Sequence, residues 1–266
     1  MDQAGVPYWA TIPVAGAVCL AAGFLFGLPA LRLEGLYLAL ATFALAVSMP
    51  PILKAPAIEK WTGGVQGITI VKPDPPAFLA AAGLNQDQWL YFFSLALALV
   101  MFALAWNLLR GRVGRALVAI RDQHTAAQVM GINTALYKSL AFGVSAMYTG
   151  IAGALGAIAV QFVAPDSFSV FLSLSFLVGS VVGGLASLSG ALYGALFIEF
   201  VPIIADQLSK AAPWAIFGAF LMAFVYVMPT GVAGALRRLA TARDSGKLAK
   251  PLPGAGAPAE PKETLS

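Results

Sequence analysis

Apolar runs almost free of charge recur along this chain, at about residues 7–28, 36–53, 89–109, 139–163, 170–185, 191–205 and 213–228. A helix of roughly 20 apolar residues crosses the ~30 Å hydrocarbon core of a bilayer. In lipid the backbone must satisfy its own polar groups, so only helices and closed barrels can span it. A barrel needs short alternating strands, whereas these runs are continuously apolar and rich in Leu and Ala. Hydrophobic residues make up 59% of the chain and charged ones 11%, against roughly 45–50% and about 25% in soluble domains. The expected fold is an all-α, polytopic transmembrane helix bundle of about seven membrane segments with a short cytoplasmic helix.

The connections carry the turn chemistry. Pro50 and Pro51 should kink or stop the second run near its end. The polar stretch Lys54 to Gln88 is rich in Gly and Pro, and residues 78–84 within it suit a short surface helix. Asp166 or Ser167 can cap the run that follows the turn at 164–168, and Pro202 is placed to kink the sixth run. Residues 1–238 read as one transmembrane domain, with the polar segment 110–138 inside it. Residues 239–266 read as a basic tail, expected to be disordered.

Charge sets the orientation. Arg110, Arg112, Arg115, Arg121 and Lys138 cluster in the polar segment, and Arg237, Arg238, Arg243, Lys247, Lys250 and Lys262 in the tail and just before it. The turn at 164–169 has no basic residue, so the positive-inside rule places segment and tail in the cytoplasm. The net charge of +4 thus reflects membrane topology rather than nucleic-acid binding. Counting spans backward places Lys54 to Gln88 and the N-terminus outside. Residues 1–7 carry no basic residue and resemble no cleavable signal. An outside N-terminus with nothing ahead of it leads to the expectation that membrane segments are missing from the start of the chain.

The segment from Gly111 to Asn133 is a polar island between two apolar runs. Val113, Leu117, Ile120, His124 and Ala127 recur at steps of four and three and so share one helical face, with Arg112, Arg115 and Asp122 on the other. Asp122 can cap a short helix that stops at Gly131, and Asn133 can cap the next. Such a helix either lies on anionic lipid or is presented to a groove on a partner.

Thr125-Ala126-Ala127-Gln128-Val129-Met130-Gly131 resembles the Ala-Ala-x-x-x-Gly core of the cytoplasmic loop of ABC-importer permeases. The surrounding Gly114-Arg-Ala-Leu-Val-Ala-Ile-Arg-Asp122 and Met130-Gly-Ile-Asn133 resemble the branched-chain amino-acid permease family, LivM type. So do Gly27-Leu-Pro-Ala-Leu-Arg-Leu33, Gly35-Leu-Tyr-Leu-Ala39, Thr62-Gly-Gly64, Ser139-Leu-Ala-Phe142, Ala164-Pro-Asp-Ser-Phe168 and Gly183-Gly-Leu-Ala-Ser187, in family order. The resemblance implies an inner-membrane permease that pairs with a sister permease of LivH type. It further implies two cytoplasmic ATP-binding subunits and a periplasmic substrate-binding protein that delivers leucine, isoleucine, valine or a relative. The residues it nominates for coupling to the ATPases are Ile120, Asp122, His124, Thr125, Ala126, Ala127, Met130, Gly131 and Asn133. Two features depart from the family pattern. The glutamate often found beside the loop motif is replaced by the stretch Gln123, His124, Thr125, and the usual N-terminal spans with a Gly-rich segment are absent.

Outside the island, Gly150 and Gly153 belong to small-residue repeats, and Gly179 with Gly183 and Gly190 with Gly194 repeat the spacing. Small residues let helix backbones approach closely in lipid. Glu199 falls near the middle of the sixth run, where a carboxylate lines a pathway, pairs across an interface, or is held neutral by hydrogen bonds. The lone Cys19 reads as packing, and His124 has no metal-ligand partner at the right spacing. No phosphate-binding loop is present, since Gly246-Lys247-Leu248 fails the pattern on both sides, so ATP would be hydrolysed on other subunits. No nucleophile-and-base set supports an enzyme, and no cofactor is implied. Alternatives are a urea or short-amide importer permease, a secondary carrier or channel, and a non-transporting scaffold. A carrier would need coupled charges inside the spans, where Glu199 stands nearly alone.

Overall fold

The computed structural model describes residues 7–30, 36–73, 75–76, 85–185, 187–208 and 231–235, with single helical positions at 218, 221, 222 and 226. Its long helices are α1 (Tyr8–Ala30), α2 (Leu36–Leu53), α4 (Gln86–Arg110), α7 (Thr134–Val160), α8 (Val170–Gly183) and α9 (Leu188–Leu208). Shorter ones are α3 (Glu59–Thr62), α5 (Arg112–Asp122) and α6 (His124–Val129). Two-residue strands β1 (Ile68–Thr69) and β2 (Phe162–Val163) and two single 3-10 turns, Gly64–Gln66 and Pro165–Ser167, lie in the connections. Among the described residues, six helical segments are long and apolar enough to cross a membrane. The expected surface helix at 78–84, most of the seventh run and the tail lie outside the described residues.

The first six expected runs are found as helices, with shifted ends. The second matches at both ends, and its helix continues through Pro50 and Pro51 before ending at Leu53. The fourth begins earlier than hydropathy suggests, at Thr134, because Asn133 caps it: its Oδ1 accepts from the Leu136 N–H at 3.1 Å. Pro202 lies inside α9, which runs on to Leu208. Ser169, rather than Asp166 or Ser167, receives the first amide of the helix after the 164–168 turn, from Leu172 N–H at 3.2 Å. Asp166 is engaged elsewhere, by Lys54 at 2.7 Å.

Two compact units divide the chain, residues 1–173 and 174–266. In the first, α1 lies along α7. The approach depends on glycines from both helices: a Cβ at Gly16 would sit 2.9 Å from Ile151 Cγ1, and one at Gly150 would sit 2.5 Å from Cys19 Sγ. Cys19 is therefore a packing residue of this seam. Ser139 is 0% exposed and donates from Oγ to the Phe24 carbonyl at 3.0 Å, beside Gly27. Ile12, Leu90 and Ile158 form a small core where α1, α4 and α7 meet, with Tyr8 and Phe93 edge-to-face beside it. Deeper along α4, Tyr148 Oη donates to the Met101 carbonyl at 3.0 Å.

One end of this unit is closed by a ribbon. α7 ends at Gln161 in the left-handed conformation (φ 64), and β2 then pairs antiparallel with β1, Ile68 opposite Val163 and Thr69 opposite Phe162. Ile70 N–H extends the ladder to the Gln161 carbonyl at 2.7 Å. Lys54 and Asp166 tie the same two loops together. Both loops therefore lie at one end of the helices. α4 rises for 25 residues, about 37 Å, and carries the island to the other end.

In the second unit, α8 and α9 cross at a glycine contact. A Cβ at Gly183 would lie 2.7 Å from the Gly194 backbone nitrogen, and one at Gly190 3.0 Å from the Gly183 carbonyl. Gly231, at φ 71, starts the helical segment 231–235 against Gly184.

Candidate functional site

The island folds as two helices rather than one. α4 ends at Arg110 and α5 starts at Arg112, a corner so sharp that a Cβ on Gly114 would meet the Leu109 Cα at 2.6 Å. α5 then breaks at Gln123, which has extended backbone (φ −155, ψ 101). Asp122 does not cap α6 as expected. It is the last residue of α5, and its carboxylate takes Arg121 at 2.9 Å.

α6 closes on a paired stop. Ile132 N–H reaches the Ala127 carbonyl and Gly131 N–H the Gln128 carbonyl, each at 3.0 Å, with Gly131 left-handed at φ 82. This is the Schellman arrangement, in which a residue without Cβ is favoured at the left-handed position. The Gln128 side-chain amide donates to Thr134 Oγ1 at 3.1 Å and so ties α6 to the start of α7. Neither Gln128, Thr134 nor Gly114 stood out in the sequence, because each acts through backbone geometry or one local hydrogen bond.

The nominated residues separate by exposure. Val113, Leu117, Ile120, His124 and Ala127 do share a face, but that face turns inward, with Ile120 buried and Ala127 only 4% exposed. In the chain by itself, the stripe is therefore turned toward its own helices, with Val113, Leu117 and His124 half-buried. α5 packs on α4, α6 and α7, and an amphipathic helix laid across the ends of its own membrane helices buries its apolar side there. The outward surface around α6 includes Asp122, Gln123, Thr125, Ala126, Gln128, Val129, Met130, Gly131 and Asn133. Val129 is 87% exposed and Met130 81%, two large apolar side chains on a polar turn.

Glu199 lies at the middle of α9 and is exposed. Among the described residues it makes no hydrogen bond or ion pair, so the neutral, hydrogen-bonded packing role finds no partner here. Gly179, Gly183, Gly190 and Gly194 all sit in the α8–α9 contact and Gly150 in the α1–α7 seam. Gly153 differs: it is exposed, and a Cβ there would meet nothing within 4 Å. No group of three His, Cys, Asp or Glu that could hold a metal occurs among the described residues.

The loop residues at the ribbon end went unremarked as a unit in the sequence. Lys54 and Lys72 are each paired with a carboxylate, Asp166 and Asp87 respectively. Nothing local in the sequence links positions 54 and 166.

The high-affinity branched-chain amino acid transport system permease protein LivM of Escherichia coli K12 is 32% identical over 215 residues, covering 73% of this chain and 50% of the relative. Its counterpart in Salmonella typhimurium LT2 is 31% identical over 214 residues, with the same coverage. The autoinducer 2 import system permease protein LsrC of Salmonella paratyphi B is 28% identical over 164 residues, 58% of this chain and 44% of the relative. The chain spans about half the length of the curated relatives it matches. No solved structure matches it. The family model for the permease component of branched-chain amino acid transport systems matches residues 1–235. With that match across nearly its whole length, the chain belongs to the branched-chain amino acid transport system permease family.

Proposed function

We propose that the chain is the membrane-spanning permease subunit of an ATP-driven importer of leucine, isoleucine and valine, and that α6 is its handle for an ATP-binding subunit. The observation that carries the reading is the exposed pair Val129 and Met130 on a tip held rigid by the Gly131 stop and the Asn133 cap. Apolar anchors presented on a fixed turn suit a hydrophobic groove. In this scheme a sister permease completes the pathway, two cytoplasmic ATPases grip the two tips, and a periplasmic binding protein delivers substrate. Closure of the ATPases would draw the tips together and switch access from outside to inside. The island and the tail face the cytoplasm, as the excess of Arg and Lys there supports. Glu199 lines the pathway or pairs across the permease interface, a role supported by its exposure at mid-span.

The coupling set is accordingly reweighted. Thr125, Ala126, Met130 and Val129 touch the partner, Gly131 and Asn133 shape the tip, and Ile120 and Ala127 support it from inside. The test is uptake of labelled leucine into vesicles holding the co-expressed subunits. Uptake that needs ATP and is competed by unlabelled isoleucine and valine supports the reading. Similarity to the LsrC permeases motivates a second reading with a different small solute, and uptake that branched-chain amino acids do not compete favours it.

A further inference from the structure

The α4–α5 corner gathers more positive charge than the described residues neutralise. Between Asp87 and Asp166 the only acidic residue is Asp122, which pairs with Arg121, against Arg110, Arg112, Arg115, Arg121 and Lys138. The Arg110 guanidinium stacks over the Trp106 ring at 4.4 Å from its centroid. Arg115 Nη1 donates to the Arg110 carbonyl at 3.2 Å, which brings a second guanidinium to the end of α4. Arg112 is the first residue of α5, is exposed, and makes no hydrogen bond or ion pair among the described residues.

The surface leading to this corner is apolar. Leu99, Phe102 and Trp106 recur at steps of three and four and are exposed, Trp106 by 50%, so they form one outward face of a membrane-spanning helix ending beneath Arg110. Trp at that level and Arg just beyond it match the apolar and polar layers of the bilayer boundary. A stacked guanidinium keeps its N–H edge free, and that edge fits the oxygens of a phosphate.

We propose that Arg110, Arg112 and Arg115, on the Trp106 platform, bind the headgroup phosphate of an anionic phospholipid in the adjoining leaflet. The lipid's acyl chain lies along Leu99, Phe102 and Trp106. The site is separate from the α6 tip, so one part of the island holds lipid and the other holds a protein. The continuity of the exposed apolar face with the charged corner favours lipid over an acidic protein surface, which would meet only the charges.

The test is retention of phosphatidylglycerol by the full chain. Protein is purified in neutral detergent from vesicles of phosphatidylcholine with phosphatidylglycerol, and bound lipid is counted by native mass spectrometry. Wild-type chain should retain phosphatidylglycerol in preference to phosphatidylcholine. Combining Arg110→Gln, Arg112→Gln and Arg115→Gln should lower that retention at least ~10-fold, since each basic residue near an anionic surface is worth about one factor of several. Arg121→Gln should leave it unchanged. If the triple variant does not insert, Arg112→Gln alone carries the same readout with a smaller loss, because its side chain has no partner among the described residues. Equal retention by wild type and variants overturns the proposal. Displacement of the lipid by inorganic phosphate also overturns it, in favour of a small-anion site. Unchanged lipid with loss of a co-purifying ATP-binding subunit overturns it in favour of a protein contact.

Discussion

Gly150 and Gly153 stand three residues apart on α7, yet among the described residues only Gly150 packs against another helix. A side chain at 150 would collide with Cys19 and approach the Ala15 carbonyl at 3.0 Å, whereas one at 153 meets open space. Gly150→Val should therefore lower the thermal midpoint of the detergent-solubilised chain, at a cost of about 1–3 kcal/mol for overpacking a fixed seam. Gly153→Val should leave it unchanged. Similar midpoints for the two variants would contradict the α1–α7 packing. The same logic divides Ala127 from Met130. Ala127→Arg places a charge in a buried position under the α6 tip and should impair insertion or stability, while Met130→Glu changes only an exposed side chain. At mid-membrane, Glu199→Gln and Glu199→Leu should both depress uptake; near-normal transport by both would end the pathway role. At this scale the sequence was legible in kind but not in direction. Small-residue spacing marked both Gly150 and Gly153, and hydropathy marked the stripe through Ala127. Neither signal says whether a helical face meets its own chain, lipid or another protein, because all three environments accept the same apolar residues.

Among the elements, the membrane helices were the most legible part, since hydrocarbon thickness and backbone satisfaction leave few options for a charge-free run. Helix ends were less so. α7 begins at Thr134, five residues before the apolar run, because the Asn133 cap and the Gln128–Thr134 hydrogen bond outweigh local polarity. The division of the island into α5 and α6 was not legible, because the apolar period continues through Gln123 although the backbone does not. Gly131 was legible, as a left-handed stop has a strong residue preference. Gly131→Ala should destabilise the α6 tip by roughly 1 kcal/mol, the cost of a Cβ in that conformation. Faster amide exchange at Ile132, whose N–H closes the stop, would register the change. Unaltered exchange would indicate that the tip is held by other contacts. The ribbon of β1 and β2 was missed altogether: two-residue strands 94 positions apart have no periodic signature.

Taken whole, the first unit has unlike ends. One carries paired charges and a short ribbon, and the other carries an excess of arginine and an exposed apolar tip. That asymmetry is what a permease needs if one end meets a delivery protein and the other an engine. The glycine contacts of α8 and α9 give the second unit its own close-packed crossing, with Glu199 a turn and more beyond Gly194 on the same helix. The family relationship gives the layout its context, and the tip of α6 is the point where function is most exposed to test. The most direct measurement is co-purification of an ATP-binding subunit with the tagged, detergent-solubilised chain after co-expression of the transporter subunits. Wild-type chain should bring the subunit down, and Met130→Glu should reduce its recovery roughly tenfold, as loss of a central apolar anchor does, with membrane insertion intact. No recovery with wild type, or equal recovery with Met130→Glu, would contradict the assignment of α6 as the coupling handle.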